Sequence, residues 1–258
     1  MTQTAVQPQR TPPPEIAEFC RRAVEALRAK LPVREVWLFG SYAEGKAKPD
    51  SDVDLFVVLA DDHGLKRPSL ECYSVVSELK DRPATDVTML TETYWNHPRY
   101  RSFGLWADVA EKGVCVFRHG KFNRAVPVTL PPMPGDPTLP ETWFDRARRD
   151  LFRARLILRE IDAEGAIIPL QQSAEKVMKG WLIECGWRLV KTHSLPDLTA
   201  EVAERGVVLD WFEADANLLT EASIYAGYPG DNAIPSQEET EAIASNVERL
   251  FSELGINL

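Results

Sequence analysis

The sequence predicts two folds in one chain: a mixed α/β domain of the α+β class, followed by an all-α helical bundle. Two apolar runs of strand length lie within residues 33–59, and further strand patterns follow up to residue 117. Beyond a stretch with six prolines at residues 126–140, these patterns give way to long helical periodicities. We therefore predict domains at residues 13–125 and 141–258, joined by a semi-rigid linker at residues 126–140.

The first predicted element is a helix that begins at Pro13 or Pro14, after a tail at residues 1–12 that we expect to be disordered. Apolar residues recur at helical spacing along one face of this helix. They are Ile16, Phe19, Cys20, Ala23, Leu27 and Leu31. This face should cover the sheet.

The central stretch, residues 33–59, reads as strand, tight turn, loop and strand. Its first apolar run ends at Gly40-Ser41, where glycine permits a turn that other residues resist and serine suits a helix N-cap. Such a turn points backbone N–H groups at an anion. The second run begins at Asp52, so the two-residue period of a strand places Asp52 and Asp54 on one face, roughly 6–7 Å apart.

Two ionised carboxylates at that spacing repel each other by very roughly 2–3 kcal/mol at an effective dielectric near 20. A divalent cation such as Mg²⁺ would turn this cost into a binding site. The alternative is that Asp52 is a turn residue and Asp54 is merely exposed. Against it, Asp54 precedes five apolar residues, where a buried strand does not normally carry a charge.

A crossover helix is predicted for residues 67–80, and the next strand for residues 85–90. The apolar stripe of the helix comprises Leu70, Tyr73, Val76 and Leu79. The strand alternates polar and apolar residues, which puts Asp86 and Thr88 on a common face. Asp86 is therefore either a third carboxylate of the site or a polar residue on a half-solvated strand.

Residues 92–112 are predicted to be helical despite Pro98, and residues 113–117 to form a short closing strand. Three aromatic residues in this segment are assigned to the core rather than to a nucleotide-stacking platform. They are Tyr94, Trp95 and Trp106.

The remainder of the chain reads as antiparallel helices that form a bundle. Two stripes are clearest, one over residues 143–161 and one over residues 174–185 that ends at Gly186. Further helices fit residues 195–205, 210–226 and 236–254.

Composition excludes several classes of protein. The net charge of −9 argues against a broadly basic surface and hence against a long nucleic acid as partner. The four cysteines form no C-x-x-C pair, which predicts reduced buried thiols, no zinc site and a cytoplasmic location. No apolar stretch approaches the roughly 18 residues of a membrane span, and no signal-peptide core is present.

The motif residues of the central stretch resemble those of the polymerase-β-like nucleotidyltransferases, in particular the minimal and kanamycin-nucleotidyltransferase types. Gly40-Ser41, Gly45 and the stretch 51–55 match the pattern G-S-x-x-x-G followed by [ST]-D-x-D-[LIV]. A P-loop is the competing motif, but Ala47 has no hydroxyl for Mg²⁺ and Pro49 would interrupt the helix that a P-loop requires.

This resemblance implies a Mg²⁺- or Mn²⁺-dependent transfer of a nucleoside monophosphate, most simply AMP from ATP, to an acceptor hydroxyl with loss of pyrophosphate. Asp52, Asp54 and Asp86 would bind metal, with Asp86 also the candidate base. Gly40 and Ser41 would hold the phosphates. The acceptor is left open between a small molecule such as an antibiotic, a protein hydroxyl and an RNA end.

The second half of the chain resembles prokaryotic HEPN domains. The resemblance rests on three segments: residues 171–179, residues 191–195 and Tyr228-Pro229. It implies a helical bundle beside a nucleotidyltransferase and a homodimer. Lys176 and Lys179 are candidate phosphate or base contacts, or alternatively solvated positions on an amphipathic helix.

Two further functions stay open at this point. Arg188 and His193 have the R-x(4–6)-H spacing of HEPN ribonucleases, in which histidine handles the 2′-hydroxyl proton and arginine the phosphate charge. Alternatively, the chain is a nucleotide-binding regulatory module of the toxin–antitoxin type.

Overall fold

A computed structural model of the chain describes residues 12–120, 132–225 and 235–258. The chain divides into two compact units, residues 1–130 and 131–258. Several predicted features lie outside the described residues. They are the tail up to residue 11, the part of the proline-rich stretch at residues 126–131, and Tyr228-Pro229.

The first unit is a mixed α/β fold, as predicted. Its elements are α1 (Pro14–Lys30), β1 (Val33–Phe39), α2 (Gly40–Glu44), β2 (Val53–Leu59), α3 (Pro68–Ser77), β3 (Thr85–Thr91), α4 (Glu92–Asn96), α5 (Pro98–Arg101), α6 (Gly104–Lys112) and β4 (Val114–Arg118).

The strands form a four-stranded sheet in the order β3-β2-β1-β4. β1 pairs antiparallel with both β2 and β4, whereas β2 and β3 are parallel. A parallel pair cannot be joined by a tight turn, and α3 supplies the crossover between its strands. β2 is therefore an inner strand, and β3 lies at the edge beside it.

One face of the sheet packs on α1 and α3 to form the core of this unit. The predicted face of α1 is confirmed, since Phe19, Cys20, Ala23 and Leu27 are buried. The predicted stripe of α3 is only half right: Val76 is buried and Leu79 packs against the core, but Leu70 and Tyr73 are exposed, and Cys72 and Val75 are buried in their place. Cys72 and Val75 also repeat at helical spacing, and α1 covers that side of the helix.

Two elements of this unit differ from the predictions. β2 begins at Val53, so Asp52 precedes the strand instead of opening it. The predicted single helix over residues 92–112 is three short helices, α4 to α6. A proline at position 98 lacks a backbone N–H and begins a new helix instead of continuing the previous one. The closing strand is confirmed as β4.

The second unit is helical, as predicted. It contains α7 (Pro140–Glu160), α8 (Ala163–Glu184), α9 (Leu195–Ala203), a 3₁₀ turn (Asp210–Phe212), α10 (Glu213–Tyr225) and α11 (Gln237–Glu253). These elements enclose one apolar core, to which α7 contributes Phe144, Ala147, Leu151, Ala154 and Leu158.

Two predictions for this unit need correction. α8 begins at Ala163, eleven residues before the apolar stripe predicted for it, and contains Pro169 near its start. Ile161, placed on the buried stripe of α7, is 72% exposed because the helix ends at Glu160. Residues 132–139 precede α7 and contact it, since Trp143 Nε1 donates to the Pro137 carbonyl at 2.8 Å. The predicted linker boundaries stay a prediction.

None of the helices in the described ranges has both the length and the apolar character needed to cross a bilayer. All four cysteines are free thiols. Cys20 and Cys72 are buried, as expected, but the same expectation is wrong for Cys185, which is exposed just after α8.

Candidate active site

Asp54 and Asp86 lie side by side on neighbouring parallel strands. The register of β2 and β3 pairs these two residues directly. Their Cα atoms are therefore about 5 Å apart, and their side chains leave the sheet on the same face. Asp54 is half-buried, whereas Asp86 is exposed on the edge strand. The fold thus brings together two carboxylates that are thirty-two positions apart in the sequence.

Asp52 is exposed and lies just before β2. The loop that leads to it is held by two hydrogen bonds: Ser51 Oγ accepts from the Lys48 N–H at 2.8 Å, and the Ser51 N–H donates to the Lys48 carbonyl at 3.0 Å. The next residue, Val53, is fully buried. Because side chains alternate along a strand, Asp54 lies on the side opposite to Val53. That Asp52, just outside the strand, shares this side stays a prediction.

Gly40 is in close contact with the Asp54 carboxylate. A Cβ atom on Gly40 would lie 2.1 Å from Asp54 Oδ2 and 3.0 Å from its Cγ. Gly40 also has a φ of 68°, a conformation that L-residues rarely adopt. Only glycine both lacks a Cβ atom and readily adopts this φ. The glycine of the motif therefore allows the backbone to lie in contact with a carboxylate of the site.

Gly40 begins α2, a helix of five residues. The prediction that Ser41 is the N-cap is wrong: Phe39 holds that position without a side-chain cap, and Ser41 lies in the first turn. The helix ends at Gly45, which is left-handed with a φ of 69°, and the Lys46 N–H donates to the Ser41 carbonyl at 2.9 Å. Residues 46–52, all within the described part of the chain, form no helix, in agreement with the exclusion of a P-loop.

Within the described residues, no group of three or more His, Cys, Asp or Glu side chains is placed to hold a metal ion. The pair of Asp54 and Asp86 nevertheless fits a magnesium ion bound together with a nucleotide. Mg²⁺ is usually held by one or two carboxylates and completes its shell with water and substrate phosphates. The donor set at this end of the sheet therefore suits a metal that binds jointly with a triphosphate.

A buried carboxylate orders the aromatic side chains on the same face of the sheet. Glu35 is 8% exposed and accepts from Trp37 Nε1 at 2.7 Å and Trp95 Nε1 at 3.1 Å. Arg118 pairs with its other oxygen at 3.1 Å. Trp95 packs on Phe56 with ring centroids 4.7 Å apart, which confirms it as a core residue. Sequence reasoning missed Glu35, although an acidic residue inside a strand-forming run was a signal.

The two candidate lysines of the helical unit both pair with carboxylates of α7 or α8. Lys176 forms an ion pair with the buried Asp150. Lys179 is 4% exposed and donates to Glu175 Oε1 at 2.7 Å and to the Thr192 carbonyl at 2.6 Å. Their role as nucleotide contacts stays a prediction.

Glu175 links α8 to the loop that carries His193. Its Oε2 atom lies 3.1 Å from His193 Nδ1 and accepts from Gln171 Nε2 at 2.9 Å. Gln171 Nε2 also donates to the His193 carbonyl at 3.1 Å. The His193 side chain is 74% exposed, so a buried carboxylate holds one nitrogen of a solvent-accessible imidazole. Arg188, the other residue of the R-x(4–6)-H spacing, is exposed in the same loop.

The pKa of the Glu175 carboxyl reflects opposing effects. Burial raises it, but the hydrogen bond and positive charge of Lys179, with hydrogen bonds from Gln171 and His193, lower it more. The net result is a pKa below the ordinary value of a glutamate. The carboxylate is therefore ionised at neutral pH and can orient the imidazole through its contact with Nδ1.

Comparisons with known proteins agree with this division of the chain. Residues 20–100 match a family model described as nucleotidyltransferase domain, and residues 140–256 match the model of the HEPN domain. One similar curated protein is protein adenylyltransferase MntA from Thermococcus cleftensis, 46% identical over 43 residues. The match covers 17% of this chain and 43% of that protein, so the chain spans less than half the length of this relative.

Solved structures also resemble the chain. Spectinomycin adenyltransferase AAD(9) from Enterococcus faecialis, with ATP and spectinomycin, is 14% identical over 93% of this chain and 98% of that chain, with a TM-score of 0.42. TT1696 from Thermus thermophilus is 24% identical over 45% of this chain and 95% of that chain, with a TM-score of 0.40. At these TM-scores, neither likeness supports a statement about function.

Proposed function

Because the chain joins a nucleotidyltransferase domain at residues 20–100 to a HEPN domain at residues 140–256, we propose that it transfers a nucleoside monophosphate from an NTP to an acceptor hydroxyl. The acceptor oxygen forms a bond to the α-phosphorus, the bond from that phosphorus to the β-phosphate oxygen breaks, and pyrophosphate leaves with the electron pair. ATP is the proposed donor, since a relative is named an adenylyltransferase.

The cross-strand pair of Asp54 and Asp86 is the observation that carries this proposal. A metal ion, Mg²⁺ or Mn²⁺, supplies positive charge to the triphosphate and to the attacking oxygen when bound. Asp52 and Asp54 would hold this ion, and Asp86 would share in binding it and take the proton of the acceptor hydroxyl. Catalysis then rests mainly on positioning and on stabilising charge in an in-line displacement.

In this proposal the phosphates bind next to Asp54, because Gly40 is in close contact with the Asp54 carboxylate. Phosphates bound by the backbone N–H groups of Gly40 and Ser41, and by the serine hydroxyl, lie beside a metal held by Asp54. Lys176 and Lys179 are not part of this proposal, because both already pair with carboxylates of their own helical unit. A homodimer and a cytoplasmic location are also proposed.

The test is transfer of label from each α-labelled NTP to a panel of hydroxyl acceptors in the presence of Mg²⁺, with pyrophosphate followed in parallel. Asp52→Asn and Asp54→Asn should each abolish transfer and leave the fold intact. Asp50→Asn is the matched control, because Asp50 is an exposed aspartate in the same loop. Transfer that persists in both test variants contradicts the enzyme proposal.

The same experiment separates the enzyme from a regulatory module of the toxin–antitoxin type. A module that only senses nucleotide would bind it with Mg²⁺ in calorimetry and yield no product with any acceptor. Transfer that is lost in Asp54→Asn excludes that alternative.

A second candidate function, ribonuclease activity through Arg188 and His193, is favoured by the contact between Glu175 and His193. A carboxylate that orients Nδ1 prepares the imidazole for proton transfer through Nε2. The test is RNA cleavage in the presence of EDTA. Cleavage should be lost in His193→Ala and in Arg188→Ala, and its persistence in His193→Ala rules this function out.

A further inference from the structure

A cleft of about 580 Å³ opens at the end of the sheet opposite to the carboxylates. Its walls come from the end of α1, the start of β1, the end of β2 with the following loop, and the residue after β4. β1 runs from Arg34 in this cleft to Phe39, which pairs with Asp54, so the cleft lies about 17 Å from Asp54 along the strand. It is a separate feature of the first unit.

Four basic side chains line this cleft, together with four apolar residues and one acidic residue. Arg28, Arg34, His63 and His119 reach it from separate segments of the chain, and Asp62 is the acidic residue among the lining residues. The two arginines stand against Asp62, and Arg34 also pairs with Glu92, so the lining offers hydrogen-bond donors from several segments more than a large positive charge.

Neighbouring groups hold these basic side chains in place. The Arg28 guanidinium lies over the Phe117 ring, 4.5 Å from its centroid. Arg34 pairs with Glu92 at 3.4 Å, and its carbonyl accepts the backbone N–H of His119 at 2.8 Å. Groups positioned before a ligand arrives lose little entropy when they bind it.

His63 is held in one tautomer. Its Nδ1 atom accepts from the Leu65 backbone N–H at 3.0 Å, so in the neutral ring Nε2 carries the proton. The ring therefore offers a hydrogen-bond donor at Nε2 even when it is uncharged. Together with the two arginines, this gives a donor set that suits the oxygens of a phosphate group.

We propose that this cleft is an anion site for a phosphate-bearing small molecule, separate from the carboxylates of β2 and β3. Its volume falls within the range of about 300–1,000 Å³ that small-molecule sites occupy. Leu31, Pro32, Val33 and Ala60 add an apolar wall against which the rest of such a ligand can pack. A metal site is not favoured, because no three metal-ligating side chains converge in the part of the chain that the structure describes.

The test is NMR of the histidine ring signals of the full chain during titration with sodium phosphate, at ionic strength matched with sodium chloride. The chain has four histidines, which single substitutions assign. The signals of His63 and His119 should shift with saturation, while that of His97 serves as the internal control. Titration with AMP in the absence of metal then distinguishes a nucleotide from free phosphate.

Arg28→Gln should weaken the affinity for phosphate by about tenfold, the usual effect of removing one charged hydrogen bond. Lys66→Gln is the matched control: it removes the same charge from an exposed residue near His63 that does not line the cleft. The control should leave the affinity within about twofold of the parent value.

Three results would overturn the proposal. They are the absence of a saturable shift at His63 and His119, an equal shift with chloride alone, and equal weakening by Arg28→Gln and Lys66→Gln. The readout does not depend on the transferase activity, so failure of that proposal leaves this test valid. Asp54→Asn should leave the shifts unchanged, which shows that phosphate binds outside the site of β2 and β3.

Discussion

Gly40 and Asp54 are in contact in a way that excludes every residue with a Cβ atom at position 40, because that atom would lie 2.1 Å from Asp54 Oδ2. The two residues belong to the two halves of the nucleotidyltransferase motif, which are separated in the sequence by a loop. Antiparallel pairing of β1 with β2 sets Phe39 opposite Asp54 and so brings the halves together.

Gly40→Ala should therefore reduce nucleotidyl transfer by about 100-fold, since it displaces a carboxylate that must be held accurately. The matched control is Gly64→Ala. Gly64 has a similar φ of 66° but nothing within 4 Å of a Cβ atom. Both variants should lose about 1–2 kcal/mol of stability from backbone strain, and only Gly40→Ala should lose activity. Equal activities, measured as label transfer, would contradict the role of the contact.

Asp86→Asn should lower kcat by about 10²–10⁴ because the amide cannot take the proton of the acceptor hydroxyl. Binding of the nucleotide with Mg²⁺, measured by calorimetry, should change much less than in Asp54→Asn. An unchanged kcat would remove Asp86 from the reaction. Loss of nucleotide binding to the same extent as in Asp54→Asn would show that the lower kcat reflects the loss of a metal ligand and gives no support to Asp86 as the base.

Lys179→Met should destabilise the helical unit by about 3–5 kcal/mol, because it leaves the charge of Glu175 buried without its partner. The double variant Lys179→Met/Glu175→Leu should recover most of this loss, since no buried charge remains. Lys176→Met is a milder control, because the carboxylate that it leaves, Asp150, still pairs with Arg153 at 2.9 Å. Urea unfolding followed by circular dichroism measures the free energy of unfolding of all three variants. A double variant as unstable as Lys179→Met would contradict the explanation that the unpaired charge of Glu175 causes the loss.

Acidification should remove the contribution of Glu175 to stability. The pKa of this carboxyl is lowered in the folded chain, so its contribution is present above the unfolded pKa and is lost as the pH falls through the folded pKa. The difference in unfolding free energy between the parent chain and Glu175→Gln should therefore narrow from neutral pH to about pH 3. A difference that stays constant over this range would contradict the lowered pKa.

The cysteines should differ widely in reactivity. Burial raises the pKa of the Cys20 thiol to about 11 and that of Cys72 to about 12, so both remain protonated at neutral pH. Cys185 is exposed. Iodoacetamide at neutral pH, followed by peptide mass spectrometry, should modify Cys185 first, and Cys20 and Cys72 only after denaturation. Modification of either buried thiol at the rate of Cys185 would contradict this order.

Local sequence patterns predicted the elements well where one face is clearly apolar. The buried face of α1 and the strands β3 and β4 followed from periodicity alone. The prediction failed in part for α3, where two overlapping apolar stripes both have helical spacing and only packing against α1 selects one. It also failed for the start of α8, because Pro169 ends a helical pattern in sequence but is accommodated near the beginning of the real helix.

The geometry of the candidate site could not be predicted from local sequence patterns either. The aspartates and Gly40 were named from motif spacing, but their sequence positions do not say which strand lies beside which. The partners of other residues could not be read from local sequence. Glu35 anchors two tryptophans from different elements, and Lys179 appeared to be a solvated lysine on an amphipathic helix until its contact with Thr192 placed it in the interior.

The sequence by itself determined the two-domain order of α/β fold and helical bundle, the identity of the motif residues, and the face of β2 on which Asp54 lies. Backbone propensity and side-chain period fix these, and both act over a few neighbouring residues. The tertiary structure alone decided that Asp54 lies beside Asp86, that Gly40 contacts Asp54, and that Glu175 holds His193. Each of these depends on strand register or helix packing, which is set by the burial of whole faces between segments distant in sequence.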